Sequence, residues 1–174
     1  DVDWAVPAVT ALFTKGIING KTADEFRPND NITREEFVKL LIKTFELNVV
    51  GNGMNFEDVK EEDWYYAYVR SAYYADIVKG VSETMFGAGQ NITRQDIAVM
   101  SCRAADVSDV KIAETAQEFT FADESDIAEY ANDAVRLMQR GGIINGDENG
   151  RFNPEAYATR AEAAKIIYNL FLML

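Results

Sequence analysis

The sequence predicts an all-α protein made of three helix-loop-helix repeats. The first observation is a short pattern that recurs three times, in which a glycine is followed at one constant spacing by a threonine. The second is that the apolar residues around each copy recur at the spacing of a helix face. The three pairs are Gly20 with Thr33, Gly80 with Thr93, and Gly146 with Thr159.

The first helix of each copy is predicted from such a face, with a glycine or another small residue at its end. In copy one Asp3 is the expected N-cap, and Pro7 is expected in or near the first turn. The first helices of copies two and three are expected over about 64–77 and 127–140. The face in copy one consists of Trp4, Val6, Val9, Leu12 and Phe13, and the end residues of the three helices are Gly16, Asp76 and Gly142.

The second helix of each copy is predicted to start at the threonine, with linkers following at 49–55 and 105–120. A helix pair of about 50 residues cannot bury its apolar stripe alone, whereas three pairs around a common axis can. The sequence therefore predicts one pseudo-threefold unit. The expected stripes are Phe37, Leu40, Leu41, Thr44 and Phe45 in copy one, Ile97, Met100, Ser101, Ala104 and Ala105 in copy two, and Ala163, Ile166, Ile167, Leu170 and Phe171 in copy three.

Composition excludes several classes of function. Of the 174 residues, 29 are Asp or Glu and 17 are Lys or Arg, so the net charge is −12, and there is no histidine. Such a chain is a poor binder of nucleic acid and anionic membranes. It cannot form a Ser-His-Asp or Cys-His catalytic site or a His-ligated metal site. Cys102 has no partner for an intramolecular disulfide, and no apolar run is long enough to span a membrane. We expect no metal and no cofactor.

The main chemical motif is a Thr-Arg dipeptide at the start of each second helix. Threonine followed three residues later by an acid is a capping box, in which each side chain bonds the backbone amide of the other residue. In copy two the acid is an aspartate, which is shorter and less suited to reach back. The expected capping residues are Thr33 with Glu36, Thr93 with Asp96, and Thr159 with Glu162.

The arginine of the motif needs another explanation. Arg34, Arg94 and Arg160 occupy the first helical position, where the helix dipole disfavours a cation by about 0.3–1 kcal/mol. One explanation is an ion pair with one of the many acids. The other is anion binding, since a guanidinium beside free helix amides can hold a carboxylate through two hydrogen bonds.

These motifs resemble the S-layer homology repeat over almost the whole chain. In copy one the resemblance rests on Trp4, the turn Gly16-Ile17-Ile18-Asn19-Gly20, the loop Phe26-Arg27-Pro28 and the helix start Ile32-Thr33-Arg34-Glu35-Glu36. The Phe-x-Asp opening of such repeats is matched by Phe56-Glu57-Asp58 in copy two and Phe121-Ala122-Asp123 in copy three. The expected repeats are 1–50, whose N-terminal part is missing, 56–107 and 121–174.

The resemblance implies a three-pronged helical unit around a central three-helix bundle. It also implies a non-catalytic module that anchors a secreted protein to the bacterial cell wall. The implied ligand is a secondary cell wall polymer, often pyruvylated, which binds in grooves between repeats. The implied ligand-binding residues are Arg34, Arg94 and Arg160 for the carboxylate, Gly20, Gly80 and Gly146 for close lining of the grooves, and Trp4 and Trp64.

The copies differ, so the three grooves are expected to be unequal. Copy two has Gly87-Ala88 in place of Arg27-Pro28, and copy three has Tyr130 in place of tryptophan. For Trp4 and Trp64, anchoring in the core is favoured over stacking on a ligand.

Two alternatives to wall binding are open. A structural module for lateral assembly would use the arginines in ion pairs, with other surface-layer subunits as partners. A glycan-processing enzyme is disfavoured because no carboxylate pair is set apart from the other acids.

Four further features are interpreted as structural. The segment Asp147-Glu148-Asn149-Gly150 is interpreted as a polar turn, since the spacing of a calcium loop is absent. Cys102 is interpreted as a small apolar residue of the second helix of copy two. Asn29-Asp30-Asn31 is interpreted as a further polar turn. The tyrosines between residues 65 and 74 are interpreted mainly as packing residues.

Overall fold

The computed structural model describes residues 2–174 and contains six α-helices. Over these residues it has isolated β-bridges and no strand, so the predicted all-α class is confirmed. The first helices of the three copies are α1 (Val6–Thr14), α3 (Tyr66–Tyr74) and α5 (Asn132–Arg140), and the second helices are α2 (Arg34–Thr44), α4 (Arg94–Val107) and α6 (Arg160–Phe171).

The first helices are shorter than the sequence predicts. Short 3-10 turns at Asp3–Ala5 and Glu129–Ala131 precede α1 and α5, and α3 ends at Tyr74. Asp3 lies inside its 3-10 turn and caps nothing, so that expectation is wrong, whereas Pro7 does lie in the first turn of α1.

The residues predicted to end these helices do so through a left-handed conformation. The φ angles are +69° at Gly16, +56° at Asp76 and +66° at Gly142. The residue after each of them donates its amide back to a carbonyl in the last turn, at 2.8–2.9 Å. This arrangement satisfies carbonyls that would otherwise lack a donor.

The buried face of α1 differs from the predicted one. Ala8 and Leu12 are buried, whereas Val6 and Phe13 are 54% and 64% exposed. Small residues at Ala5 and Ala8 are buried instead, which a periodicity of large apolar residues does not reveal.

The stripes of the second helices form the core as predicted, except that Phe171 is only half-buried. Each first helix packs on the second helix of the preceding copy: α3 on α2, α5 on α4, and α1 on α6. Helix α2 also contacts α4 and α6. The copies are therefore interleaved, and the first and last helices of the chain pack together.

Backbone hydrogen bonds join the starts of the second helices in a closed ring. The Ile32 amide donates to the Ala158 carbonyl at 3.0 Å, the Ile92 amide to the Ile32 carbonyl at 3.1 Å, and the Ala158 amide to the Ile92 carbonyl at 3.2 Å. This ring brings the three Thr-Arg motifs together.

No helix within residues 2–174 has the length and apolar character needed to cross a membrane. Helix α4 continues through Val107, so the second linker begins later than predicted.

Candidate ligand grooves

The first helical amide of each second helix is already bonded to another copy. The motif arginine donates its amide to a loop carbonyl at 2.9 Å in all three copies, so the expectation that these amides are free to hold an anion is wrong. The pairs are Arg34 with Gln90, Arg94 with Ala156, and Arg160 with Asp30.

The guanidinium group of each motif arginine is held by the loop phenylalanine of the next copy. Its Nε donates to the phenylalanine carbonyl, and the group also lies over the phenylalanine ring. For Arg34 and Phe86 the hydrogen bond is 3.1 Å and the ring distance 5.5 Å. The corresponding values are 2.7 and 5.2 Å for Arg94 and Phe152, and 2.9 and 4.7 Å for Arg160 and Phe26.

The same arginines pair with the capping acids of the next copy. Arg34 Nη1 lies 2.6 Å from Asp96 Oδ2, and Arg94 Nη1 lies 2.7 Å from Glu162 Oε1. Arg160 Nη1 lies 3.8 Å from Glu36 Oε1, which is too far for a hydrogen bond. The motif arginine is therefore in a close ion pair in two copies, as the ion-pair explanation expects, and in a longer one in the third.

The caps differ between copies as the shorter aspartate predicts. Glu36 and Glu162 reach back to the amides of Thr33 and Thr159, and both threonines accept from the glutamate amides. Thr93 accepts from the Asp96 amide, but Asp96 does not reach back. Its carboxylate binds Arg34 and accepts from the Tyr130 hydroxyl at 2.8 Å instead.

Three grooves contain these arginines. Groove 1 is a cavity of about 290 Å³ whose lining includes Gly20, Lys21, Glu36, Lys39, Trp64 and Arg160. The Lys39 ammonium lies 5.7 Å from the centre of the Trp64 ring. Burial, followed by the charge of nearby Lys43, lowers the pKa of Lys39.

Groove 2 is a cavity of about 460 Å³ lined by Arg34, Gly80, Asp96, Arg103 and Tyr130. Partial burial raises the pKa of the Tyr130 hydroxyl although much of the side chain is exposed, and its hydrogen bond to the Asp96 carboxylate adds to the effect. The phenol therefore stays protonated at neutral pH and donates to that carboxylate.

Groove 3 is the largest, about 590 Å³, and is lined by Trp4, Arg94, Gly146, Glu162 and Lys165. Its lining comes from all three copies, with Trp4 from the first, Arg94 from the second and the other residues from the third. Each groove thus combines a turn glycine, a motif arginine, a capping acid and an aromatic residue.

A family model described as "S-layer homology domain" matches residues 1–38, 55–98 and 120–164. The chain belongs to this family. The matched segments contain the three Thr-Arg motifs and the groove glycines, and leave out nearly all of the two linkers.

Relatives of this S-layer homology domain include enzymes and a surface-layer protein. An amylopullulanase of Thermoanaerobacterium thermosulfurigenes is 32% identical over 97% of the chain and 9% of its own length. An exoglucanase of Acetivibrio thermocellus is 32% identical over 97% of the chain and 15% of its own length. A surface-layer 125 kDa protein of Lysinibacillus sphaericus is 30% identical over 94% of the chain and 14% of its own length. The chain therefore spans a small part of each of these relatives.

The turn glycines of the domain are needed where the chain folds back on itself. A Cβ at Gly80 would lie 2.5 Å from the Met85 carbonyl oxygen, and the φ angle is +81°. A Cβ at Gly20 would collide with the Thr22 carbonyl oxygen. These turns form one wall of grooves 1 and 2.

The tryptophans do not anchor the core, so that expectation is wrong. Trp4 and Trp64 are 51% and 55% exposed, and Tyr130 is 58% exposed in the matching position. Sequence reasoning aligned Tyr130 with the tryptophans but did not assign it to the site, and it missed Lys39 and Lys165 altogether. The repeat register would have revealed Tyr130, whereas the lysines have no counterpart in copy two.

The Phe-x-Asp openings hold the loops that carry the groove phenylalanines. The Asp58 carboxylate accepts from the amides of Phe86, Gly87 and Ala88 at 2.7–2.8 Å. Asp123 accepts from the amides of Phe152 and Asn153 in the same way. Each aspartate therefore positions a carbonyl that receives a motif arginine.

The remaining candidates are structural. Asp147 accepts from the amides of Asn149 and Arg151, which is a polar turn as predicted. Burial raises the pKa of the Cys102 thiol to about 12, so the thiol is unreactive at neutral pH. Tyr65 and Tyr73 pack half-buried against the core.

Proposed function

We propose that this domain is a non-catalytic anchor that holds a larger protein at the bacterial cell surface by binding an anionic wall glycan. Support comes from the shared module: the same segment recurs in relatives named for different enzyme activities and in a surface-layer protein, and it fills only 9–15% of their length. A segment common to such different proteins fits a role in location and not in turnover.

The proposed arrangement is three prongs with pseudo-threefold symmetry around a central bundle of α2, α4 and α6. The closed ring of backbone bonds among Ile32, Ile92 and Ala158 supports it. So do three grooves built from equivalent residues of successive copies. A glycan chain that engages more than one groove would gain affinity through effective concentration.

The observation that carries the ligand proposal is the arginine in each groove. A guanidinium held by a phenylalanine ring and carbonyl is already oriented, so little side-chain entropy is lost when it binds a carboxylate. The net charge of −12 opposes an acidic polymer, but at physiological salt repulsion is screened beyond about 8 Å. The cations inside the grooves therefore determine whether an acidic polymer binds, and a pyruvate ketal offers a carboxylate of suitable size.

Groove 1 is the proposed primary site. Glu36 is taken by the Thr33 amide and by Lys21, whose ammonium lies 2.5 Å away. Arg160 therefore keeps Nη1 without a hydrogen bond, and Lys39 adds a second cation. In groove 2, Arg34 Nη1 is committed to Asp96 at 2.6 Å. A ligand carboxylate must displace Asp96 to reach Arg34 Nη1 in groove 2. In groove 1 it can reach Arg160 Nη1 without displacing Glu36.

The test is binding of purified wall polymer with and without its pyruvate ketal. We expect the ketal to be required, and Arg160→Gln to weaken binding roughly tenfold or more, since a charge-assisted hydrogen bond contributes about 1.5–3 kcal/mol. Arg34→Gln and Arg94→Gln should weaken binding less. Equal binding after removal of the ketal would contradict the carboxylate model.

Two controls separate binding from folding. Arg27→Gln removes an exposed arginine outside the grooves and should leave binding unchanged. Lys39→Gln and Trp64→Ala alter groove 1 at exposed or half-buried positions, so they should weaken binding without lowering the melting temperature appreciably.

Lateral assembly is the second candidate, favoured by the tight ion pairs of Arg34 and Arg94. It predicts concentration-dependent oligomers in the absence of wall polymer, measurable by sedimentation velocity.

A further inference from the structure

A pocket outside the three grooves lies between the first linker and α3. It has a volume of about 580 Å³ and is lined by Gly51, Val59, Tyr66, Arg70 and Tyr74, among others. This is within the range of roughly 300–1,000 Å³ that is typical of small-molecule sites. We call it the Arg70 pocket.

The third copy contains the equivalent pocket, with its arginine occupied. Arg70 and Arg136 are the fifth residues of α3 and α5. Arg136 donates from Nε and Nη2 to Glu124 Oε1, at 3.1 and 2.6 Å. Glu124 and Arg136 both line a smaller cavity of about 150 Å³. In the third copy a carboxylate of the chain itself fills the place beside the arginine.

The second copy lacks that carboxylate. Val59 follows Asp58 as Glu124 follows Asp123, and the amides of Val59 and Glu124 donate to equivalent phenylalanine carbonyls. Val59 is buried and lines the Arg70 pocket. An apolar side chain thus stands where the third copy has its internal ligand.

Arg70 is left without a polar partner among residues 2–174. It makes no hydrogen bond or ion pair there, and its Nε is buried without an acceptor. The Tyr74 hydroxyl is also buried and unbonded. Unpaired buried polar groups cost free energy that a ligand can recover.

The pocket is already shaped for a flat, charged ligand group. The Arg70 guanidinium lies 5.4 Å from the centre of the Tyr66 ring, which holds its plane. Gly51 runs against the Tyr74 ring, because a Cβ there would lie 2.5 Å from Tyr74 Cε1. The linker and the two tyrosines thus form walls on which a sugar ring can pack.

We propose that the Arg70 pocket binds a sugar carboxylate of the hexuronate class. The carboxylate pairs with the Arg70 guanidinium, as Glu124 pairs with Arg136 in the third copy, and the sugar ring packs against the walls of the pocket. Lys60 adds a cation at the rim, whereas Glu61 and Glu62, both exposed, oppose an anion there. The site is separate from the wall-polymer grooves and does not depend on the function proposed for them.

The experiment is a titration of the whole domain with D-glucuronate, followed by NMR at the Nε–Hε groups of the arginines. D-glucose and acetate supply the ring and the carboxylate separately. We expect the Arg70 signal to shift with glucuronate. The affinity for D-glucose or acetate should be at least roughly tenfold weaker than the affinity for glucuronate. Arg136, which is already occupied, serves as the internal control.

Variants sharpen the result. Isothermal titration calorimetry measures binding without the Arg70 signal. By this measure Arg70→Gln should abolish glucuronate binding, Arg136→Gln should leave it unchanged, and Glu61→Gln with Glu62→Gln should tighten it. Val59→Glu should fill the pocket from within and block glucuronate while wall-polymer binding persists. If Val59→Glu lowers the melting temperature, Arg70→Gln still tests whether glucuronate binding requires Arg70.

Three outcomes would overturn the proposal. They are an unchanged Arg70 signal, whether or not Arg160 responds, equal binding of glucose and glucuronate, and an Arg70 shift that follows protein concentration in the absence of sugar. The last would show that an acidic side chain of a second copy of the chain is the occupant.

Discussion

Single carboxylates organise the loops that meet the motif arginines. Asp58 accepts three backbone amides, among them that of Phe86, whose carbonyl in turn accepts from Arg34 Nε. Burial tends to raise the pKa of Asp58, but the amides of Ala88, Phe86 and Gly87 outweigh it and lower the pKa. The charged form is therefore favoured in the folded state.

Asp58→Asn should destabilise the fold by about 1.5–3 kcal/mol at neutral pH, because hydrogen bonds to a charged acceptor are the stronger ones. The folded pKa lies below the unfolded value near 3.9. The stabilisation is therefore present above that value and is lost as the pH falls through the lower, folded pKa. Urea unfolding at pH 7 and over the acidic range measures both effects.

The control for this prediction is Asp24→Asn, at an exposed loop position. It should leave both the stability at pH 7 and its acid dependence nearly unchanged. If Asp58→Asn behaved like Asp24→Asn, the hydrogen bonds from the amides to Asp58 would contribute no net stability.

At the scale of elements, the first helix of each copy is followed by a residue in the left-handed conformation, which is a glycine in two copies and an aspartate in the other. Gly16 and Gly142 adopt the left-handed conformation after α1 and α5, whereas α3 is followed by Asp76 in that conformation. A side chain there is strained, because its Cβ approaches the neighbouring carbonyl. The ion pair of Asp76 with Lys79 is exposed at 3.8 Å and offsets little of this strain.

Asp76→Gly should therefore stabilise the domain by about 0.5–1 kcal/mol, although glycine gains entropy in the unfolded chain. Gly142→Ala should destabilise it by a similar amount. Thermal unfolding of the two variants should show shifts of opposite sign. A loss of stability in Asp76→Gly would mean that the carboxylate makes a contribution larger than the backbone strain.

At the scale of the whole molecule, the copies depend on one another. Helix α1 packs on α6 and α5 on α4, so no copy buries its helices by itself. The arginine pairs, the loop carbonyls and the central backbone ring all run from one copy to another. Such coupling favours a single cooperative unit.

A chain that ends after residue 120 should lose cooperative folding. Its α1 would lack α6 and its α4 would lack α5, which exposes the stripes that form the core. Circular dichroism and urea titration should show reduced helix content and no sharp transition, in contrast to the full chain. A sharp transition in the shortened chain would show that two copies suffice.

The sequence by itself determined the all-α class, the threefold repetition, the helix starts at the threonines and the helix ends at Gly16, Asp76 and Gly142. These features rest on local interactions, such as capping and helical periodicity, which a short window of residues reveals. Even the weaker cap of copy two followed from the length of Asp96.

Tertiary structure alone decided which partners those elements have. It placed α1 on α6, turned Trp4 and Trp64 outward, gave Arg34 to Asp96, and left Arg70 without the acid that Arg136 holds. These outcomes depend on contacts between different copies, or on which side chain of a nearby turn faces the helix. Repeat spacing does not reveal them, because equivalent positions look alike in sequence until the chain closes and their neighbours differ.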